Sequence, residues 1–166
     1  MKYLLIILTL TFTHFSPVYS DDLDGLHTSE QYYWLEPEGE TPNLYEVLED
    51  AQWEKVQGEL NFGYNQKKLW VMQTIDSYID GSWVFEIPYP LLDYLDIYLL
   101  EDSKVIKQIR TGDARPFTSR QIKMSDFILE FTTEPAKRYL LVIRIQTDGT
   151  MMMPSAWYSK GQYLDH

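Results

Sequence analysis

Cysteine is absent from the 166 residues, so the chain has no disulfide, no thiolate metal site, no nucleophilic thiol and no lipid-modified cysteine. Burial of apolar and aromatic groups must hold the fold. Histidine is nearly absent as well: His14, His27 and His166 are the three, and none is placed as a general base or as part of a metal triad. No Gly-x-Ser-x-Gly elbow, His-Glu-x-x-His helix, phosphate-cradling glycine loop or EF-hand pattern occurs, so neither a cofactor nor a resident metal is expected. Basic residues are scarce, 14 against 25 acids, for a net charge of −11. Nucleic acid and anionic lipid head groups are poor partners for such a surface. Eleven of the acids lie between Asp21 and Glu54, a stretch without one lysine or arginine, which reads as a solvated acidic arm.

Long apolar runs are missing except at the start, where Met1-Lys2 precedes the run Tyr3 to Phe12 and Val18-Tyr19-Ser20 precedes Asp21-Asp22. This is the pattern of a secretory signal peptide over residues 1–20, cleaved near Ser20. An uncleaved anchor fits less well, because Thr9, Thr11, Thr13 and His14 interrupt the run short of the roughly 20 apolar residues a span needs. Export to the periplasm is the expectation. What remains is enough for one domain, divided on sequence into an acidic arm and connector over 21–47 and a β-sandwich over 48–166.

Thirteen tyrosines, five tryptophans and seven phenylalanines point to a β-rich core. Strand patterns are dense from Leu69: residues 69–75, 83–87, 95–100, 105–109, 127–131 and 139–146, with a last strand over about 151–157. Asp80-Gly81-Ser82 reads as a tight hairpin between the first two, and Glu101-Asp102-Ser103 as a second hairpin. Before them, Leu44 to Leu48 reads as one or two helical turns. The period of two and the lack of a long amphipathic helix give the fold class: all-β, an antiparallel sandwich.

One succession of motifs is more specific: Asn61-Phe62-Gly63-Tyr64, Leu69-Trp70-Val71, Glu86-Ile87-Pro88-Tyr89-Pro90-Leu91-Leu92-Asp93, Leu95-Asp96-Ile97-Tyr98-Leu99, Thr111-Gly112-Asp113-Ala114-Arg115-Pro116-Phe117 with Arg120, and Tyr139 to Gln146. In this order, from about Leu48 to Tyr163, they resemble the type-two extracellular domain of bacterial seven-transmembrane receptors with diverse intracellular signalling modules. The resemblance implies a periplasmic, jelly-roll-like β-sandwich similar to carbohydrate-binding modules, followed by seven membrane helices and an output domain. It also implies that the acidic stretch supplies an edge strand and a connecting loop, with Trp53 and Val56 as the first core contacts. Because the sequence stops at His166, the expectation is either the sensor part of a longer receptor or a free-standing relative.

Candidate binding residues are Tyr89, Asp113, Arg115, Arg120 and Arg144. Pro88 and Pro90 cannot donate to a ladder, so they end a strand and hold Tyr89 in a stiff crossing segment. Asp113, Arg115 and Arg120 place charges on a loop, where a guanidinium fork suits a carboxylate or a vicinal diol; they serve equally well to brace that loop against Asp93 or Asp113. Arg144, inside an apolar strand, lines a groove or is tied to a carboxylate. Trp70, Trp83 and Trp157 read as core. The leading functional expectation is a ligand-sensing domain for a small or carbohydrate-like molecule. A homodimerisation or receptor-partner module is the alternative. A hydrolase would need two facing carboxylates, for which Glu86, Asp93 and Asp96 are the available groups, and the chain is not expected to be an enzyme.

Overall fold

The computed structural model describes residues 23–165; the expected signal peptide lies outside the described residues. Two sheets face each other. The larger contains β1 (Leu26–Thr28), β2 (Tyr32–Leu35), β3 (Glu54–Lys55), β5 (Leu69–Ser77), β7 (Tyr94–Glu101), β8 (Lys104–Thr111) and β10 (Lys137–Gln146) in the order β3-β2-β5-β10-β7-β8, with β1 also on β5. The smaller contains β6 (Gly81–Ile87), β9 (Phe127–Thr133) and β12 (Ala156–Ser159) in the order β12-β6-β9. A two-stranded ribbon of β4 (Asn61–Tyr64) and β11 (Thr150–Met152) stands beside them. All pairings are antiparallel, the sandwich expected from the period of two.

Alternation decides which side chains make the core. Leu69, Val71 and Ile75 of β5, Leu95, Ile97 and Leu99 of β7, and Leu141, Ile143 and Ile145 of β10 point inward. They meet Trp83, Phe85 and Ile87 of β6 and Phe127, Leu129 and Phe131 of β9. A second, smaller cluster lies on the opposite face of the large sheet, where Leu44 and Val47 of helix α1 (Leu44–Asp50) cover Trp70, Leu100 and Val142. Asn43 starts that helix with a full capping box: its side chain accepts from the Tyr45 and Glu46 amides, and Glu46 accepts from the Asn43 amide.

Several elements depart from the sequence expectations. In the acidic stretch the edge strand implied by the family resemblance is present, as β1 and β2 along one edge of β5, but Leu26 is buried in the main core ahead of Trp53 and Val56. Asp80-Gly81-Ser82 does not close a hairpin, because β5 and β6 belong to different sheets. The inward faces of both strands are apolar and must oppose each other across the core, so the chain crosses over the rim instead. There Thr133 Oγ1 accepts from Trp83 Nε1 at 2.8 Å and bonds Ser77 Oγ at 2.7 Å. Gly81 is required at the crossing, since a Cβ would stand 2.7 Å from the Trp83 ring. The last expected strand is two, interrupted around Pro154. The second hairpin is as expected: Asp102 and Ser103 carry φ of 48° and 62°, the paired positive values of a two-residue turn that joins β7 to β8.

Candidate site on the outer face of the large sheet

Strand register brings Trp34, Trp70, Arg144, Asp96 and Arg110 side by side across five strands on the face away from the main core. Near this row Tyr94, Asp96, Arg115, Arg144 and Gln146 line a depression of about 230 Å³. Two of the five candidate residues, Arg115 and Arg144, therefore come together. Tyr94 and Gln146 face each other in the β7–β10 pairing, and the Tyr94 ring is 42% exposed.

Arg144 is held from behind by Glu36, which is only 2% exposed. Its Nε and Nη2 donate to the Glu36 carboxylate at 3.0–3.1 Å. The same carboxylate accepts from Lys68 Nζ at 3.1 Å and from Trp70 Nε1 at 3.0 Å. The Arg144 guanidinium also lies 5.5 Å from the centre of the Trp70 ring. One buried anion thus fixes two cations and an indole, a fully hydrogen-bonded arrangement of the kind a buried charge requires.

Arg115 reaches the site because of Gly112. That glycine has φ of +138°, and a Cβ there would stand 2.0 Å from the Asp93 carbonyl oxygen. The close approach lets the Asp113 amide donate to Leu92 O at 2.8 Å and the Ala114 amide to Asp93 O at 3.1 Å, folding the loop back on the start of β7. Arg115 Nη1 then donates to Leu95 O at 2.7 Å and Thr111 O at 2.8 Å. Both of its hydrogens are taken. Asp96 Oδ1 sits 2.8 Å from the same nitrogen, a close charge contact without a hydrogen to share, and is buried with no hydrogen-bond partner. Burial and the Asp96 carboxylate push the neighbouring Tyr98 hydroxyl above its ordinary value, against the opposing pull of Arg110 and Arg144.

The other candidates lie elsewhere. Arg120, 8% exposed, donates through Nη1 to the carbonyls of Met124 and Ser125 and stacks 4.3 Å from the Phe127 ring centre, bracing its own loop. Asp113 is exposed at the turn. Tyr89 is half-buried against the main core. The three carboxylates weighed for hydrolysis do not converge in this depression. Asp93 accepts from Thr147 Oγ1 and the Asp148 amide, each at 2.8 Å, and Glu86 on the small sheet accepts from the Tyr163 hydroxyl. Asp76 is paired with Arg138 at 2.6 Å. Trp70 and Trp83 are buried, whereas Trp157 is partly exposed and lines a polar groove of about 780 Å³ at the sandwich edge, with Ser29, Gln31 and Gln73. Of the depression itself, Tyr94 and Gln146 were missed, as was the anchoring Glu36, and Asp96 was weighed only as half of a hydrolytic pair.

A family profile for the 7TMR-DISM extracellular 2 domain matches residues 29–159. The chain belongs to that family, the extracellular domain of a class of membrane receptors and not a family of enzymes. That membership places the domain outside the cytoplasm. Among the described residues no helix is long and apolar enough to cross a membrane. No curated protein matches the chain. Solved structures that match the chain include the GH31 alpha-xylosidase of Xanthomonas citri, at 13% identity and a TM-score of 0.39. The match covers 81% of this chain but 14% of the xylosidase. The Epithelial Adhesin 9 A domain of Candida glabrata, solved in complex with Galb1-3GlcNAc, has the same identity and TM-score, with 82% of each chain covered. Neither likeness bears on what this chain binds.

Proposed function

We propose that the chain is the periplasmic ligand-sensing input domain of a bacterial membrane signalling receptor, and that its ligand lies in the depression over Asp96, Arg115 and Arg144. The observation that carries this reading is the recess in which the Asp96 carboxylate meets two guanidinium groups, with Tyr94 and Gln146 completing the lining. Planar polar groups on Arg115, Arg144 and Gln146, with a Tyr94 ring that carries the Arg115 guanidinium at 5.3 Å from its centre and is 42% exposed, suit a sugar, whose hydroxyl pairs match such forks and whose apolar face stacks on an exposed aromatic face. Occupancy would join β7, β10 and the 112–117 loop through one molecule, and transmission to a membrane partner would run through that change.

A second reading has its own support. Leu91 at 60%, Phe117 at 53% and Tyr94 at 42% exposure are apolar side chains on or next to segments that the Asp113 and Ala114 amides join to Leu92 and Asp93, and exposed groups of this kind suit a second copy or a receptor partner. A thermal-shift screen of the purified chain against mono- and oligosaccharides, with Arg115→Ala alongside, separates the two. Stabilisation of the wild type but not the variant supports the sensor. No shift, with a concentration-dependent dimer in sedimentation, supports the interaction module instead.

A further inference from the structure

In a chain with a net charge of −11, the surroundings of Asp96 are locally positive. Glu36 is shared by Lys68 and Arg144, while Asp96 stands against Arg115 and beside Arg110 in the strand register. Four cations meet two carboxylates. The donors are also incompletely used. Glu36 takes Nε and Nη2 of Arg144, and two backbone carbonyls take Nη1 of Arg115, so Nη1 of the first and Nη2 of the second have no hydrogen bond among the described residues. An anion is what such a pair of forks accepts best.

We propose that the depression selects an acidic sugar, a saccharide unit carrying a carboxylate beside its hydroxyls, over neutral sugars. The proposal rests on the ligand-sensing reading of the same site. Two features must be matched together: the free Nη1 of Arg144 and Nη2 of Arg115 suit an anionic acceptor, and the Asp96 carboxylate, whose side chain keeps 15% of its surface, suits a hydrogen donor. A neutral hexose meets the second and leaves the positive excess unbalanced. An inorganic anion meets the first and is repelled by Asp96. A hexuronate meets both, with the carboxylate toward Arg115 and Arg144 and a hydroxyl toward Asp96. An α-amino acid carries the same two functions, its ammonium replacing the hydroxyl, and is the rival source of this chemistry.

The test is calorimetric titration of the full chain with hexuronic acids, their methyl esters, the matching neutral hexoses, and glutamate and alanine. The ester removes the charge while keeping the ring, so the comparison needs no variant. At least one hexuronate is expected to bind about tenfold or more tightly than its own ester and hexose, with affinity falling as salt rises. Gln146→Ala should weaken that binding severalfold, and Arg115→Gln should abolish the preference for acid over ester, each in a variant shown by its melting transition to be folded. If ester and hexose bind as well as the acid, with the same dependence on Gln146, the acidic selectivity is overturned and the sensor reading stands. Binding of an amino acid but no saccharide overturns the sugar class. No binding by any of these, or binding indifferent to both variants, overturns this proposal and the assignment of the site together.

Discussion

Glu36→Gln is the most informative single change in the protein, because one carboxylate with 2% exposure holds Lys68, Trp70 and Arg144 in place. The substitution keeps shape and removes charge. It leaves two cations without their anion, and the new amide group meets donors where it needs acceptors. Breaking a buried pair by removing one partner costs about 3–5 kcal/mol. Here Lys68 and Arg144 keep 25% and 23% of their side-chain surface, so water relieves part of the penalty. The expected loss is therefore about 2–4 kcal/mol, after discounting that range for solvent access. With a urea slope of about 2 kcal/mol per molar, the unfolding midpoint should fall by about 1–2 M at unchanged slope. Arg144→Met should lose stability too, and the double variant should lose less than the sum of the two singles, by about 0.5–3 kcal/mol of coupling. A loss below about 0.5 kcal/mol for Glu36→Gln, the usual scale of an unimportant surface change, would refute the claim that this anion anchors the site.

Three further outcomes follow from the geometry. Gly112→Ala should destabilise by more than about 3 kcal/mol or prevent folding, because the new Cβ would overlap the Asp93 carbonyl oxygen at a φ of +138°; denaturant unfolding or the soluble yield reads this. Asn43→Ala removes the capping box of α1 and should cost about 0.5–2 kcal/mol, with amide exchange accelerating over residues 44–50 first. Above pH 10 stability should fall: the hydroxyls of Tyr98, Tyr158 and Tyr163 are raised by burial from 10.0, so unfolded tyrosines ionise while the folded ones stay protonated. Lys107 acts in the opposite sense, since burial lowers it and its loss of charge relieves the fold as pH rises, so Lys107→Met should steepen the alkaline decline measured by thermal melts.

What could be read from the sequence was what depends on neighbours along the chain. Alternation marked β5, β7, β9 and β10, Asp102-Ser103 marked a tight turn, and Asn43 with Glu46 lies just at the start of the short helix expected over Leu44 to Leu48. Hidden were the features that depend on partners far away. β1 and β2 are short and sit among acids, so no residue pattern marked them and only the family resemblance implied an edge strand there. Nothing local to Glu36 announces that it is buried, because its partner Arg144 is 108 residues on. Asp80-Gly81-Ser82 has the residues of a hairpin turn, yet local chemistry cannot tell a hairpin from a crossing between sheets. The same limit explains the candidate site. Arg115 and Arg144 were singled out as charges on a loop and in an apolar strand, while Arg120, equally charged, braces its own loop and Asp113 is exposed at the turn.

The central claim is the location of the ligand, and amide NMR of the isotope-labelled chain titrated with hexuronates and neutral hexoses tests it most directly. Progressive, saturable shift changes are expected at residues 94–96, 111–115 and 144–146. Changes confined to Ser29, Gln73 and Trp157 in the edge groove, or saturation without change at those three segments, would contradict it.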